Sequence, residues 1–211
     1  MFRHLCAVLP AFLLIAALSP ALCSAFPDEA APAREKVLLV YSSGEIFETI
    51  TDIKDPAALD AITSPTPADR NTDIAAKRIR DNLVRDGLSV RLACVEEFGK
   101  EAWREVLAYD TIIIGSPARF WTMSWETKRF FDLVFGRIYI LENKAKGKTF
   151  GLFATAEIES SSATALQAME TIIGDVKGSV ALRLNLHREM SQEQFDQEID
   201  KFTASLSVLA R

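Results

Sequence analysis

The sequence predicts a doubly wound α/β domain: a three-layer α/β/α sandwich around a five-stranded parallel sheet in the order 2-1-3-4-5. Three observations predict it. First, 36–41 (KVLLVY), 111–114 (TIII) and 149–154 (TFGLFA) are almost continuous apolar runs, which suits strands covered on both faces in the middle of a parallel sheet. Second, two further runs alternate instead. Leu88, Val90, Leu92 and Cys94 are interleaved with Ser89, Arg91 and Ala93, and Val180, Leu182, Leu184 and Leu186 with Ala181, Arg183 and Asn185. Alternation marks strands at the sheet edges. Third, amphipathic segments separate all five runs, so right-handed crossovers must connect parallel strands. Edges second and fifth, with the first, third and fourth strands central, leave the order given above.

The elements follow in chain order. A basic start at Arg3, the apolar stretch Leu5 to Leu18 and the small residues Ala21, Cys23, Ser24 and Ala25 describe a secretory signal peptide over 1–25. Residues 26–34 (FPDEAAPAR) form a flexible leader, and 35–211 the domain. After the first strand, 45–70 carries Pro56, Pro65 and Pro67 and is expected as an insertion before the first helix. That helix is expected over Thr72 to Asp86, with Ala75, Ile79 and Leu83 on one face and Gly87 as its C-terminal cap. Further helices are expected over Lys100 to Ala108, Ser124 to Phe135 and Ser162 to Ile173. In the last, Ser191 and Gln194 form a capping box, and Phe195, Ile199, Phe202, Leu206 and Leu209 recur at helical spacing.

Composition narrows the function. Hydrophobic residues make up 49% of the chain and its formal net charge is −5, which is globular and unsuited to neutralising the phosphates of a nucleic acid. Loss of the signal peptide would remove Cys6 and Cys23 and leave Cys94, so no internal disulfide is expected despite an exported, periplasmic destination. The membrane enters only if the N-terminal segment stays uncleaved. No GxGxxG, metal-ligand spacing or Ser-His-Asp constellation is present, so no catalytic residue and no metal ligand is assigned.

In such a sheet a ligand sits beyond the carboxyl ends of the strands, where the order reverses between the first and third. Three loops converge there. The first offers Ser42, Ser43 and Gly44, joined across the insertion by Asn71 and Thr72 at the helix start, a set of hydroxyls and N–H groups suited to an anion. Equally, these residues end a strand and cap a helix. The second loop, Gly115 to Ser124, includes Ser116, Pro117, Ala118, Arg119, Phe120 and Trp121. Two consecutive aromatics leaving a buried strand favour stacking on a planar heterocycle over packing on the protein itself. The third loop contributes Thr155, Ala156 and Glu157, and its carboxylates Glu157 and Glu159 would oppose an anionic ligand unless both face solvent. Cys94 is expected in the core, His187 on the surface rather than as a base, and Arg119 and Lys128 as solvated charge.

The stretch 115–120 (GSPARF), a Met three residues after Phe120, and then 128–132 (KRFFD) resemble the second flavin loop and following helix of flavodoxin-like quinone and FMN reductases. Members named for tryptophan-repressor binding show a similar Gly-Thr-Pro-x-Arg-Phe stretch. The sequence 146–148 (KGK) leading into a strand is also similar. The resemblance spans about 36–211. It implies a flavodoxin-like protein binding FMN, with Ser42, Ser43, Asn71 and Thr72 around the phosphate. It also implies Pro117 to Trp121 on the isoalloxazine and Thr155 to Glu157 beside it, with NAD(P)H as electron donor and a quinone or similar small molecule as acceptor. Two alternatives stand beside this enzyme: a flavodoxin-type carrier serving a redox protein, and a module that keeps the fold without FMN. A homo-oligomer is left open.

Overall fold

A computed structural model describes residues 37–42, 67–141 and 145–210, all within the compact unit Arg34–Arg211. The expected signal peptide and leader, and most of the expected insertion, lie outside these residues.

Strand β1 (Val37–Tyr41) is buried along its whole length. It lies between β2 (Val90–Cys94) and β3 (Thr111–Arg119), and β5 (Thr149–Ala156) and β6 (Ser179–His187) complete the parallel sheet β2-β1-β3-β5-β6. This is the order that the apolar and alternating runs dictate. A sixth strand, β4 (Thr122–Met123), turns back antiparallel on β3. It corrects the expectation of an open loop after Gly115. β3 continues four residues past its last β1 pair, Tyr41↔Gly115. Pro117 thus falls where one flank of β3 has lost β1 as a neighbour, a position at which proline is tolerated in a sheet.

Alternate residues of the buried strands feed two cores. Leu38, Val40, Ile112, Ile114, Phe150, Leu152 and Ala154 face one way. There they meet α2 (Trp103–Val106), α3 (Trp125–Phe130), a π-helical turn (Phe131–Phe135), α4 (Gly136–Ile140) and α5 (Glu159–Asp175). Phe98, Phe130, Phe131, Phe135 and Phe150 form an aromatic cluster on this side, with ring centroids 4.9 to 6.0 Å apart and mostly edge-to-face. Val37, Leu39, Tyr41, Ile113, Phe153, Leu184 and Leu186 face the other way, toward α1 (Pro67–Arg85) and α6 (Gln192–Leu209). Helix α1 is tied to α6 by Arg78, which bonds Asp196 and Asp200, and by Asn82, which donates to Asp200 at 2.8 Å. The guanidinium of Arg78 holds the Asp200 carboxyl below its ordinary range.

Helix ends follow local chemistry. Ser191 and Gln194 form the expected capping box of α6. Gly87, at φ +84, closes α1: its N–H donates to the Val84 carbonyl and that of Leu88 to the Leu83 carbonyl. These are the two bonds of a Schellman turn.

Four expectations need correction. Helix α1 begins at Pro67, not Thr72; its first turn is polar and carries no periodicity, while proline is at home in the first helical position. Residues 67–70 of the expected insertion are therefore helical. Of 100–108 only the single turn α2 is α-helical. On β2 the buried residue is Ala93, with Val90, Leu92 and Cys94 half-buried against the α1 side. Leu209 is exposed at the end of α6.

Candidate functional site at the carboxyl ends of the strands

The site is built around the end of β3. Gly115 lies opposite Phe153 on β5, and a Cβ there would come within 1.9 Å of the Phe153 ring. Only glycine lets β3 pass under that ring. Next along the strand, the buried Ser116 hydroxyl accepts the Ser124 N–H at 2.9 Å and lies 2.9 Å from the Pro117 carbonyl, to which it donates. This anchors the start of α3 to the strand end. Ser124 caps that helix through the Thr127 N–H at 3.3 Å.

Between Ser116 and Ser124 the chain makes a hairpin, with Arg119 paired to Thr122. Its two turn residues are Phe120, at φ 50, and Trp121, at φ 59. A two-residue hairpin with both turn residues left-handed ordinarily carries Asn-Gly, because larger side chains crowd the backbone there. Here two aromatics occupy it, and they project outward: Phe120 is 94% exposed and Trp121 61%. Burial against the protein does not account for them. Two strained, outward-facing rings at the point where the strand order reverses suit a flat ligand.

The other site residues are placed as follows. Ser42 is buried, and its N–H donates to the Gly115 carbonyl at 3.2 Å, joining the first and second loops. Ser43 and Gly44 lie outside the described residues. Asn71 and Thr72 stand within α1, not at its start, so neither caps the helix. Thr72, expected at the phosphate, and Thr155, expected beside the ring, touch each other, with hydroxyl oxygens 2.5 Å apart. Nothing fits between them, so a ligand reaching both must lie over the pair. Ala156, like Thr155, belongs to β5 and is buried. Glu157 is exposed and paired with Arg188 at 3.1 Å. Glu159, at the start of α5, is exposed as well, so both carboxylates of the third loop face solvent, the arrangement under which the expected repulsion weakens.

Sequence reasoning missed three neighbours. Tyr41 donates to Asp73 at 2.9 Å, and burial, then this bond, push its phenol far above the ordinary range. Arg188 continues directly from β6, and its N–H donates to the Ala156 carbonyl at 3.0 Å. His187, expected on the surface, is a residue of β6 itself, opposite Ala156, with its Nδ1 3.5 Å from Glu189. None of these carries a motif; only pairing across strands brings them to the site. Lys128 is ion-paired with Asp132, one turn along.

The order β2-β1-β3-β5-β6, with helices on both faces and hydroxyls gathered at the β1, β3 and β5 ends, decides the architecture. The chain has the flavodoxin-like fold.

Solved structures of that fold superpose on most of the flavodoxin-like chain. A flavodoxin, WrbA-like protein from Agrobacterium tumefaciens shares 18% identity at a TM-score of 0.57, over 83% of this chain and 96% of its own. Flavodoxin 2 from Bacillus cereus shares 19% at 0.56, over 82% and 99%. Rubredoxin oxygen:oxidoreductase from Desulfovibrio gigas shares 11% at 0.59, over 83% of this chain and 36% of its own. Among curated proteins, an NAD(P)H dehydrogenase (quinone) of Archaeoglobus fulgidus is 32% identical over 92 residues, 41% of this chain and 47% of its own length. A flavodoxin of Aquifex aeolicus is 43% identical over 54 residues, 26% of this chain and 28% of its own. The chain thus spans less than half the length of either curated relative. No family model matches it.

Proposed function

We propose that this flavodoxin-like protein binds FMN at the carboxyl ends of β1, β3 and β5 and acts as an oxidoreductase passing electrons from NAD(P)H to a quinone or similar small acceptor. The Phe120–Trp121 turn carries the reading. The exposed aromatic faces suit the isoalloxazine, and the buried hydroxyl-bearing residues Ser42 and Thr72 would stand beneath the phosphate. The exposure of Glu157 and Glu159, with Glu157 paired to Arg188, weakens the electrostatic objection to an anionic ligand. The likeness to a quinone-reducing NAD(P)H dehydrogenase and to a flavodoxin supports a redox role.

Bound FMN would supply the electron exchange, as cofactors do. The protein's residues would bind and orient it. Phe120 and Trp121 would cover the ring and exclude water from one face. The Ser116 hydroxyl, by holding Ser124, would fix the hairpin that presents them. Arg188 would keep the Glu157 charge compensated.

The reading is tested by titrating the full chain with FMN and following flavin fluorescence, then adding NADPH and a benzoquinone to the complex. Saturable binding with quinone-dependent NADPH oxidation is expected. Binding without nicotinamide oxidation would favour the carrier, which the flavodoxin match supports, with a redox protein as partner. A chain that leaves FMN fluorescence unchanged would remove both. Export to the periplasm, proposed from the N-terminal apolar run, is checked by the mass of the mature protein.

A further inference from the structure

The helical segment that leaves the carboxyl end of β3 must return to the amino end of the sheet to feed the parallel strand β5. Its last turn ends in three successive exposed apolar residues: Tyr139 is 64% exposed, Ile140 70% and Leu141 38%. Arg137, also exposed, stands three and four residues before Ile140 and Leu141 and so shares their helical face. The turn into β5 exposes Lys146, and its Lys148 carbonyl accepts the Ser179 N–H at 3.2 Å, which brings the end of α5 and the exposed Lys177 alongside. Among the described residues of this rim the acids are Asp175 and Asp110, and Asp110 is paired with Lys148 at 2.8 Å. Four cations thus meet two acids here, in a chain whose formal net charge is −5.

A tyrosine beside aliphatic side chains, ringed by lysine and arginine, is the composition that sits at a bilayer surface. The aliphatic groups enter the apolar layer, the phenol stays at its boundary with water, and the cations meet anionic headgroups. The interior of a protein–protein interface is instead depleted of lysine. Chain direction agrees. Val37 opens β1 at this same end, so the end that bears the patch is covalently continuous, through residues 19–36, with the apolar run Leu5 to Leu18. We propose that the Tyr139–Leu141 tip and its cations dock the protein on an anionic membrane surface. The candidate site stands beyond the other end of the same helical segment, roughly 22 Å of helix away at about 1.5 Å per residue from Trp125 to Ile140. Docking therefore leaves that site facing water.

The test mixes the full chain with phosphatidylcholine vesicles, with and without phosphatidylglycerol, and measures the fraction that floats with them in a density gradient. The wild type is expected to float with the anionic vesicles, and less so at high salt, which screens its cations. Ile140→Asp, and separately Arg137→Glu with Lys146→Glu, should each lower the partition coefficient about tenfold. Both replace exposed residues, so the midpoint of unfolding should stay in place. Ile74→Asp, which charges an exposed apolar residue of α1, should leave flotation unchanged. Flotation that is equal in the wild type and in both tip variants would assign binding to the N-terminal run and overturn the proposal, as would a wild type that stays with the buffer. A wild-type dimer that Ile140→Asp dissociates without altering flotation would give the tip to a second copy of the chain, and overturn it too.

Discussion

Two turns in this molecule ask the backbone for the same left-handed conformation and receive opposite residues. After α1 the position goes to Gly87, at φ +84, which closes the helix with both Schellman bonds and has nothing within 4 Å of where a Cβ would stand. Between β3 and β4 it goes to Phe120 and Trp121, which are exposed. The first turn obeys steric preference and does nothing further. The second ignores it twice in succession with large side chains that bury little of themselves. Strain accepted without burial in return marks the place where the chain is shaped for something other than its own stability.

The comparison can be broken in several ways. The largest expected effect tests whether a glycine here answers to conformation or to contact. Gly115→Ala would drive a methyl into the Phe153 ring and should cost about 3 kcal/mol in denaturant unfolding, the upper end for overpacking. A loss below about 1 kcal/mol would show that β3 has room to move. Next, Phe120→Asn with Trp121→Gly installs the residues that the turn prefers. This pair should stabilise the fold by about 2 kcal/mol while weakening FMN binding tenfold or more. Destabilisation would mean the rings pack where they look exposed. Gly87→Ala should cost about 1 kcal/mol, read as a lower melting temperature, because alanine resists the positive φ. The smallest effect concerns the end of α5, where Lys177, at φ 64, holds the place that Gly87 holds after α1, with bonds from Lys177 to the Gly174 carbonyl and from Gly178 to the Ile173 carbonyl. Lys177→Gly should raise stability by roughly 0.5 kcal/mol; a fall would show that the lysine side chain, not its backbone, holds that turn.

The sheet was legible because burial writes itself into sequence. Runs apolar on both faces became β1, β3 and β5, and alternating runs became β2 and β6, so the order followed without any motif. Where polarity gave no period, reading was poorer. Pro67 to Asn71 looks like loop and is helix, and Gly115 to Pro117 looks like a turn and is strand, because the neighbours that tolerate Gly115 and Pro117 come from other strands. The same limit applies to the site. Phe120 and Trp121 stood out as unexplained aromatics. The contact between Thr72 and Thr155 and the pairing of Glu157 with Arg188 depend on distances across the chain that no local pattern encodes.

The π-helical turn at Phe131–Phe135 bears on how this chain tolerates change in length. Each residue advances an α-helix by about 100°, and the wider turn takes up one residue beyond regular winding, leaving Phe130, Phe131, Val134, Phe135 and Ile138 all inward. With Leu133 removed, seven regular steps of about 100° would separate Phe130 from Ile138, within about 20° of two full turns, so Ile138 would keep its inward face while the wide turn became regular. The wide turn therefore acts as a store of one residue, which this segment can give up at half-buried Leu133 without turning its buried face away from the core.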